Sequence, residues 1–332
     1  MIRQQEANTA KPPFYLVAVM FLLTVLSACH PIQDLSLPAA LLSIAVGGAT
    51  VAWLISSAGW LWGLLTLLPV GVLSFCLADG SLLAVLHSLL YIVPGISFAL
   101  VSKKRITRSL AVGISATVLT ASVLLLLTLP VWQDLGRLSA DAYRQYYAAF
   151  FEELKETLKS SFTITVAGSE MSYVSDANAD QYLNMVLALM PGIVGFASVC
   201  LGYVSGWCYK LLRRITYQAP PDYLAWRLMP SPVTGVTFVI AVLLMLLGSN
   251  VSYPWFVAVT FVLVLCPGFC LRGIASVFEI RIIDGLPRPR LLRGLLLIVG
   301  MFSGLPGLVI VSSLFGIYDS IRSGFPQKTK ES

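Results

Sequence analysis

The chain has 332 residues, of which 57% are hydrophobic and only 11% charged, and its net charge is +6. A soluble domain carries roughly 25% charged residues, so this composition excludes an ordinary soluble fold and points to an integral membrane protein. The positive balance does not indicate nucleic acid as a partner. The basic residues stand in short loops between apolar stretches, where Lys and Arg govern orientation and contact with anionic lipid.

Nine apolar segments follow one another: Phe14–Cys29, Leu37–Ser56, Gly59–Leu77, Leu82–Val101, Leu110–Val131, Tyr182–Trp207, Val233–Leu247, Pro254–Leu271 and Leu295–Ile317. None carries Lys, Arg, Asp or Glu in its middle. About 20 apolar residues in a helix match the hydrocarbon thickness of a bilayer, and a helix satisfies each backbone N–H and C=O within the segment. The predicted fold is all-α, a polytopic transmembrane helical bundle of about nine spans. It divides into an N-terminal membrane half (1–131, five spans), an extracytoplasmic loop (132–181), a C-terminal membrane half (182–318, four spans) and a polar tail (319–332).

In the first segment, Val25-Leu26-Ser27-Ala28-Cys29 resembles a lipobox, with Arg3 and Lys11 as its basic flank. Glu6 and the multi-pass body favour an ordinary first helix instead. Only Ser57-Ala58 separates the second segment from the third, which requires a tight hairpin. In the fourth, Asp79 and His87 stand eight residues apart and share one helix face. A polar side chain at that depth faces the bundle interior. It either touches a ligand or makes a structural hydrogen bond, the plainer reading.

Charge sets the orientation. Lys103, Lys104, Arg105 and Arg108 form one basic loop; Lys210, Arg213, Arg214 and Arg227 a second; Arg272, Arg281, Arg288, Arg290 and Arg293 a third. All three fall on one side if the segment count holds, and short basic loops stay cytoplasmic. The N-terminus then lies inside. The loop from Trp132 to Gln181, with eight acidic and four basic residues, lies outside. Alternation places the C-terminal tail outside as well, unless the last segment bends back at Gly304-Leu305-Pro306-Gly307.

Within the outer loop, Tyr143, Tyr147, Phe150, Leu154 and Leu158 recur at helical spacing, widened by Tyr146 and Phe151. An amphipathic helix from Ser139 to Ser160 follows, capped by Ser139 or Asp141. Its aromatic face rests on the protein's own rim or forms a lid, for which Tyr147 and Phe150 are the candidate residues.

Four Pro-Gly pairs, beginning at Pro94, Pro191, Pro267 and Pro306, interrupt apolar segments. Proline removes a donor and clashes with the preceding turn, and a broken helix exposes backbone groups that can line a cavity. The candidate ligand-cavity residues are therefore Asp79, His87, Pro94, Pro191, Gly192 and Pro267. Small-residue spacings at Gly59/Gly63, Gly202/Gly206 and Gly300/Gly304 fit packing within the chain.

The six cysteines lie in or beside apolar segments and read as small buried hydrophobes. Cys266 and Cys270 share a helix face, with no His or carboxylate near in sequence to make a metal site. No nucleophile elbow, His-Glu-x-x-His or phosphate loop occurs, so no catalytic, cofactor-binding or metal residue is assigned and no cofactor is expected.

The second half carries a resemblance. Phe150-Phe151-Glu152-Glu153-Leu154-Lys155-Glu156 is followed by Leu189-Met190-Pro191-Gly192, then Leu211-Leu212-Arg213-Arg214. Tyr223-Leu224-Ala225-Trp226-Arg227-Leu228-Met229-Pro230 and a terminal Gly316-Ile317-Tyr318-Asp319-Ser320 come after. With Val93-Pro94-Gly95 running into Ser102-Lys103-Lys104-Arg105, this order resembles the YybS-like family of bacterial membrane proteins, a domain of unknown function. That family is distantly similar to the substrate-binding S-components of energy-coupling-factor transporters. The resemblance implies a subunit of the bacterial plasma membrane that binds a small molecule or lipid, with other membrane or ATPase subunits as partners. The alternative is a non-transporting scaffold or regulator acting through its basic cytoplasmic loops.

The charge pattern sets an expected outcome. In single-cysteine variants on intact cells, cysteine at Ser160 reacts with an impermeant maleimide and cysteine at Ser102 does not. The reverse labelling contradicts the orientation.

Overall fold

A computed structural model describes residues 12–28, 37–77, 81–161, 163–166, 169–172, 176–217, 230–248, 253–279, 312–314 and 316–318. The elements are α1 (Phe14–Ala28), α2 (Leu37–Ser57), α3 (Trp60–Leu65), α4 (Leu67–Leu77), α5 (Ser81–Ser102), α6 (Arg108–Leu135), α7 (Ala140–Tyr146), α8 (Ala148–Ser161), β1 (Thr163–Val166), β2 (Ser169–Ser172), α9 (Asp176–Tyr217), α10 (Pro232–Leu247) and α11 (Tyr253–Glu279). The fold is helical, with one short antiparallel hairpin pairing Thr163 with Ser172 and Val166 with Ser169. Among the described residues five helices (α2, α5, α6, α9 and α11) are long and apolar enough to cross a membrane. Shorter apolar helices occupy Phe14–Ser27, Trp60–Cys76 and Pro232–Leu247. The ninth expected segment, Leu295–Ile317, lies mostly outside the described residues, as do Cys29, Asp79 and the Gly300/Gly304 pair.

α2 is the central element. It packs against α1, α3, α5 and α9; α6 bridges α5 and α9; α11 lies against α9 and α10 against α11. Small residues make this possible: Ala45, Ala49 and Ala52 of α2 are wholly buried, so neighbouring backbones come close. Of the most apolar windows of α2 and α5, 67% is buried, against 28% for α9 and 22% for α11, so the largest core sits around α2 and α5. Trp53, Phe98, Val112, Val199 and Tyr209 fill it.

One end of the bundle collects basic residues. Segments 53–62, 101–109 and 203–216 meet there and hold seven Lys or Arg and no Asp or Glu. Hydrogen bonds tie this end together. Trp53 Nε1 donates to Thr216 Oγ1 at 2.9 Å, Tyr209 Oη to Ser56 Oγ at 2.9 Å and Arg213 Nη1 to Ser102 Oγ at 2.6 Å. Lys103 sits 4.9 Å from the Trp60 ring centre, and the Arg108 guanidinium 5.8 Å from that of Tyr203. The loop between α6 and α9 occupies the opposite, acidic end. The α2–α3 turn contains Ala58 and Gly59, and the φ of +107° at Gly59 is a conformation L side chains rarely adopt.

Pro94, Pro191 and Pro267 stand inside helices that continue past them. The interruption occurs elsewhere, at Thr66 between α3 and α4. Pro69 follows three residues later and offers no N–H to the Leu65 carbonyl. Thr66, fully buried, donates its hydroxyl to the Gly63 carbonyl at 2.6 Å. This back-bond satisfies the buried hydroxyl within its own turn.

Helix crossings rest on glycines. A Cβ at Gly202 would meet Val112 and one at Gly206 would meet Phe98, both within this chain. At Gly273 of α11 a Cβ would overlap the Ser312 carbonyl, and at Gly316 it would overlap the Phe269 carbonyl. Gly273→Ala is expected to lower stability by about 1–3 kcal/mol through overpacking. Gly113→Ala on α6, where a Cβ meets nothing within 4 Å, is expected to be neutral or to stabilise by up to about 1 kcal/mol. Thermal melting of both variants in detergent checks the pair.

Candidate functional site

The candidate residues fall at separate helix interfaces. On α5, His87 is buried and its Nδ1 bonds the Ser74 hydroxyl of α4 at 2.7 Å; Ser88 donates to the same hydroxyl at 3.3 Å. The His87 ring meets Tyr91 edge-on at 5.3 Å, and Tyr91 Oη donates to the Ser27 carbonyl of α1 at 3.3 Å. This chain of polar contacts locks α1, α4 and α5 together. A buried polar group in hydrocarbon must be satisfied by protein, and His87 is satisfied in this way. Pro94 is buried against Gly48 of α2. On α9 the Pro191 side chain is exposed, whereas Gly192 is buried against Thr260 and Leu263 of α11. Pro267 is buried within α11. Asp79 lies outside the described residues.

The outer helix is two helices. Ser139 caps α7 by accepting from the Ala142 N–H at 3.2 Å. The chain breaks helix at Tyr147 (φ −99°, ψ 30°) and resumes as α8. Tyr147 Oη donates to the Leu127 carbonyl at 3.0 Å, in the turn of α6 that Pro130 opens. Burial pushes the Tyr147 hydroxyl above its ordinary pKa, which keeps it a neutral donor at physiological pH. Phe150 points outward at 58% exposure, and Phe151 is buried in its stead. Phe151 stands four residues after Tyr147 and eight after Tyr143, so the inward face follows the four-residue spacing and leaves Phe150 outside it.

At the acidic end α7 and α8 also grip α9. Lys155 Nζ lies 3.3 Å from Asp180 Oδ1, while Arg144 bonds the Asp180 carbonyl at 3.3 Å and the Asn184 side chain. The pair of helices therefore clamps the outer ends of α6 and α9.

A groove that sequence reasoning missed lies toward the other end. It has a volume of about 650 Å³ and is lined by Phe14, Ala18, Phe21 and Leu22 of α1, Trp62 and Leu65 of α3, and Leu68 and Pro69 of α4. Every lining residue is apolar. The edge-on contact of Phe14 with Trp62, 6.1 Å between ring centres, draws α1 and α3 together at its basic end. The break at Thr66 shapes the wall, because Leu65 and Pro69 flank it. A proline without a glycine beside it was no signal for this division, since Pro130 is of the same kind and α6 continues past it.

The sequence profile of a family described as a predicted membrane protein, DUF2232, matches residues 16–320. No curated protein and no solved structure matches the chain.

The buried and exposed rings of α8 separate by mutation. Phe151→Ala is expected to cost about 3 kcal/mol, as for a core aromatic, and Phe150→Ala less than about 0.5 kcal/mol. Melting temperatures of the two variants check this; the opposite ranking contradicts the register.

Proposed function

Because the chain belongs to the predicted membrane protein family DUF2232, we propose that it is a transporter-like substrate-binding subunit whose ligand is a membrane lipid, held by one acyl chain in the groove between α1 and α3–α4. The observation that carries this reading is an all-apolar groove of about 650 Å³ beside an interrupted membrane helix. An aqueous metabolite needs convergent polar groups in its site, and this lining has none. A hydrocarbon chain needs only shape and apolar contact. The groove spans Phe14 to Leu22 on α1, which at about 1.5 Å per residue is roughly 12 Å, close to one leaflet of a ~30 Å hydrocarbon core. Trp60 and Lys103 at the basic end suit the headgroup level.

The rest of the proposal follows from charge and resemblance. On this reading the chain spans a bacterial plasma membrane about nine times, with its N-terminus and basic end cytoplasmic, and the loop between residues 131 and 181 divides it into two membrane halves. The YybS-like resemblance, and through it the S-components of energy-coupling-factor transporters, supports an ATPase-bearing partner. A second reading, a scaffold that recruits acidic partners, draws on the same seven basic and no acidic residues at that end.

Ala18→Phe fills the groove from the α1 side. In native mass spectrometry of protein released from membranes in mild detergent, the wild type should retain one lipid species. The variant should lose it, while Leu246→Phe on the exposed face of α10 should keep it. Retention of the same lipids by wild type and Ala18→Phe overturns the groove reading. Crosslinked recovery of acidic cytoplasmic proteins without an ATPase favours the scaffold.

A further inference from the structure

We propose that Cys266, Cys270 and Ser313 form a binding site for a divalent thiophilic ion of the Zn(II) class, at the crossing of α11 with residues 312–314. The proposal stands apart from the groove and does not depend on it. The two sulfurs lie 3.7 Å apart, and the Ser313 hydroxyl oxygen lies 3.2 Å from Cys270 Sγ and 3.9 Å from Cys266 Sγ. Three donors thus mark a triangle with sides of 3.2, 3.7 and 3.9 Å. Thiolates bound to one tetrahedral ion at about 2.3 Å stand about 3.8 Å apart, and a thiolate and an oxygen about 3.6 Å apart. The triangle has the dimensions of one tetrahedral face.

Other chemistry fits less well. Side chains four apart on a helix hold their Cβ atoms about 5–6 Å apart, whereas a disulfide needs about 3.5–4.5 Å. The helix therefore opposes direct S–S closure but admits a bridging ion. Neither cysteine is in a disulfide. The Ser312 hydroxyl also bonds Cys270 and offers a fourth donor. Among the described residues no three His, Cys, Asp or Glu side chains gather to hold a metal; here the donors beyond the two sulfurs are serine hydroxyls, brought beside them from more than forty residues further along the chain.

Charge decides the ion's valence. Binding follows 2 RSH + M²⁺ → (RS)₂M + 2 H⁺, which leaves the site neutral. Within a membrane span, net charge is costly, so a dication on two thiolates is preferred to a monocation, which would leave a negative site. Soft thiolates select thiophilic d¹⁰ ions over Mg(II) or Ca(II). The site is framed by Pro267 between the cysteines and by Gly273, whose lack of a side chain lets the Ser312 backbone approach.

The test uses the full chain, reduced and chelator-treated in detergent, and titrated with Cd(II) as probe. The wild type is expected to develop a thiolate-to-cadmium ultraviolet band saturating at one equivalent. Cys266 and Cys270 are expected to become protected from maleimide alkylation, read by peptide mass spectrometry, while exposed Cys76 stays reactive. Cys266→Ser with Cys270→Ser should abolish the band, and Ser313→Ala should weaken affinity by about tenfold or more, as loss of a supporting group does. The proposal is overturned if the double variant keeps the band. It is equally overturned if Cys266 and Cys270 of the wild type alkylate at the same rate with and without Cd(II), a reading that needs no variant to fold.

Discussion

Lipid gives no hydrophobic reward for pressing one apolar helix against another, so this bundle depends on close approach at small residues and on polar contacts made within protein. The alanines of α2 let α1, α5 and α9 converge on it, and Gly202 and Gly206 let α9 meet Val112 and Phe98. Polar groups at these interfaces are paired across helices: Thr24 with Thr50 at 2.8 Å, and His87 with Ser74 at 2.7 Å. These contacts lie across helices distant in sequence. They fix register as well as proximity, because a one-residue slip would leave a hydroxyl or imidazole unsatisfied in hydrocarbon.

The same constraint explains where the bundle is tight and where it is open. α2 and α5 are enclosed on most sides, whereas α10 touches α11 alone among its larger contacts. Between these extremes lies α1, which packs well on α2 but meets the short helices α3 and α4 less closely. The third apolar stretch is divided at Thr66 into α3 and α4, and Leu65, Leu68 and Pro69 beside that point line the groove together with α1.

Much of this was legible in the sequence. α2, expected at Leu37–Ser56, runs Leu37–Ser57, and α10, expected at Val233–Leu247, runs Pro232–Leu247, because apolar runs bounded by turn residues leave little choice of end. The reading of α9 as Tyr182–Trp207 fell short. The helix occupies Asp176–Tyr217, 42 residues or about 63 Å, more than twice the hydrocarbon thickness. Its charged ends, read as loop, are held helical by Asp180 against Lys155 and by Arg213 against Ser102. Such tertiary partners are invisible to a hydropathy pattern. The Pro-Gly pairs at Pro94, Pro191 and Pro267 do not end their helices, which continue past them, while Pro306-Gly307 lies outside the described residues. The β-hairpin at 163–172 was also unforeseen, since Thr163–Val166 is too short a pattern to register beside a charged helix.

The central claim is that the groove selects a lipid instead of merely facing the bilayer. A photo-crosslinking amino acid placed at Leu65 in native membranes, with the adducts identified by mass spectrometry, tests it directly. Leu246, 70% exposed on α10, serves as the reference for bulk lipid. The account predicts that Leu65 adducts are enriched in one lipid class relative to those at Leu246. The same lipid mixture at both positions, or adducts to protein alone at Leu65, would contradict it.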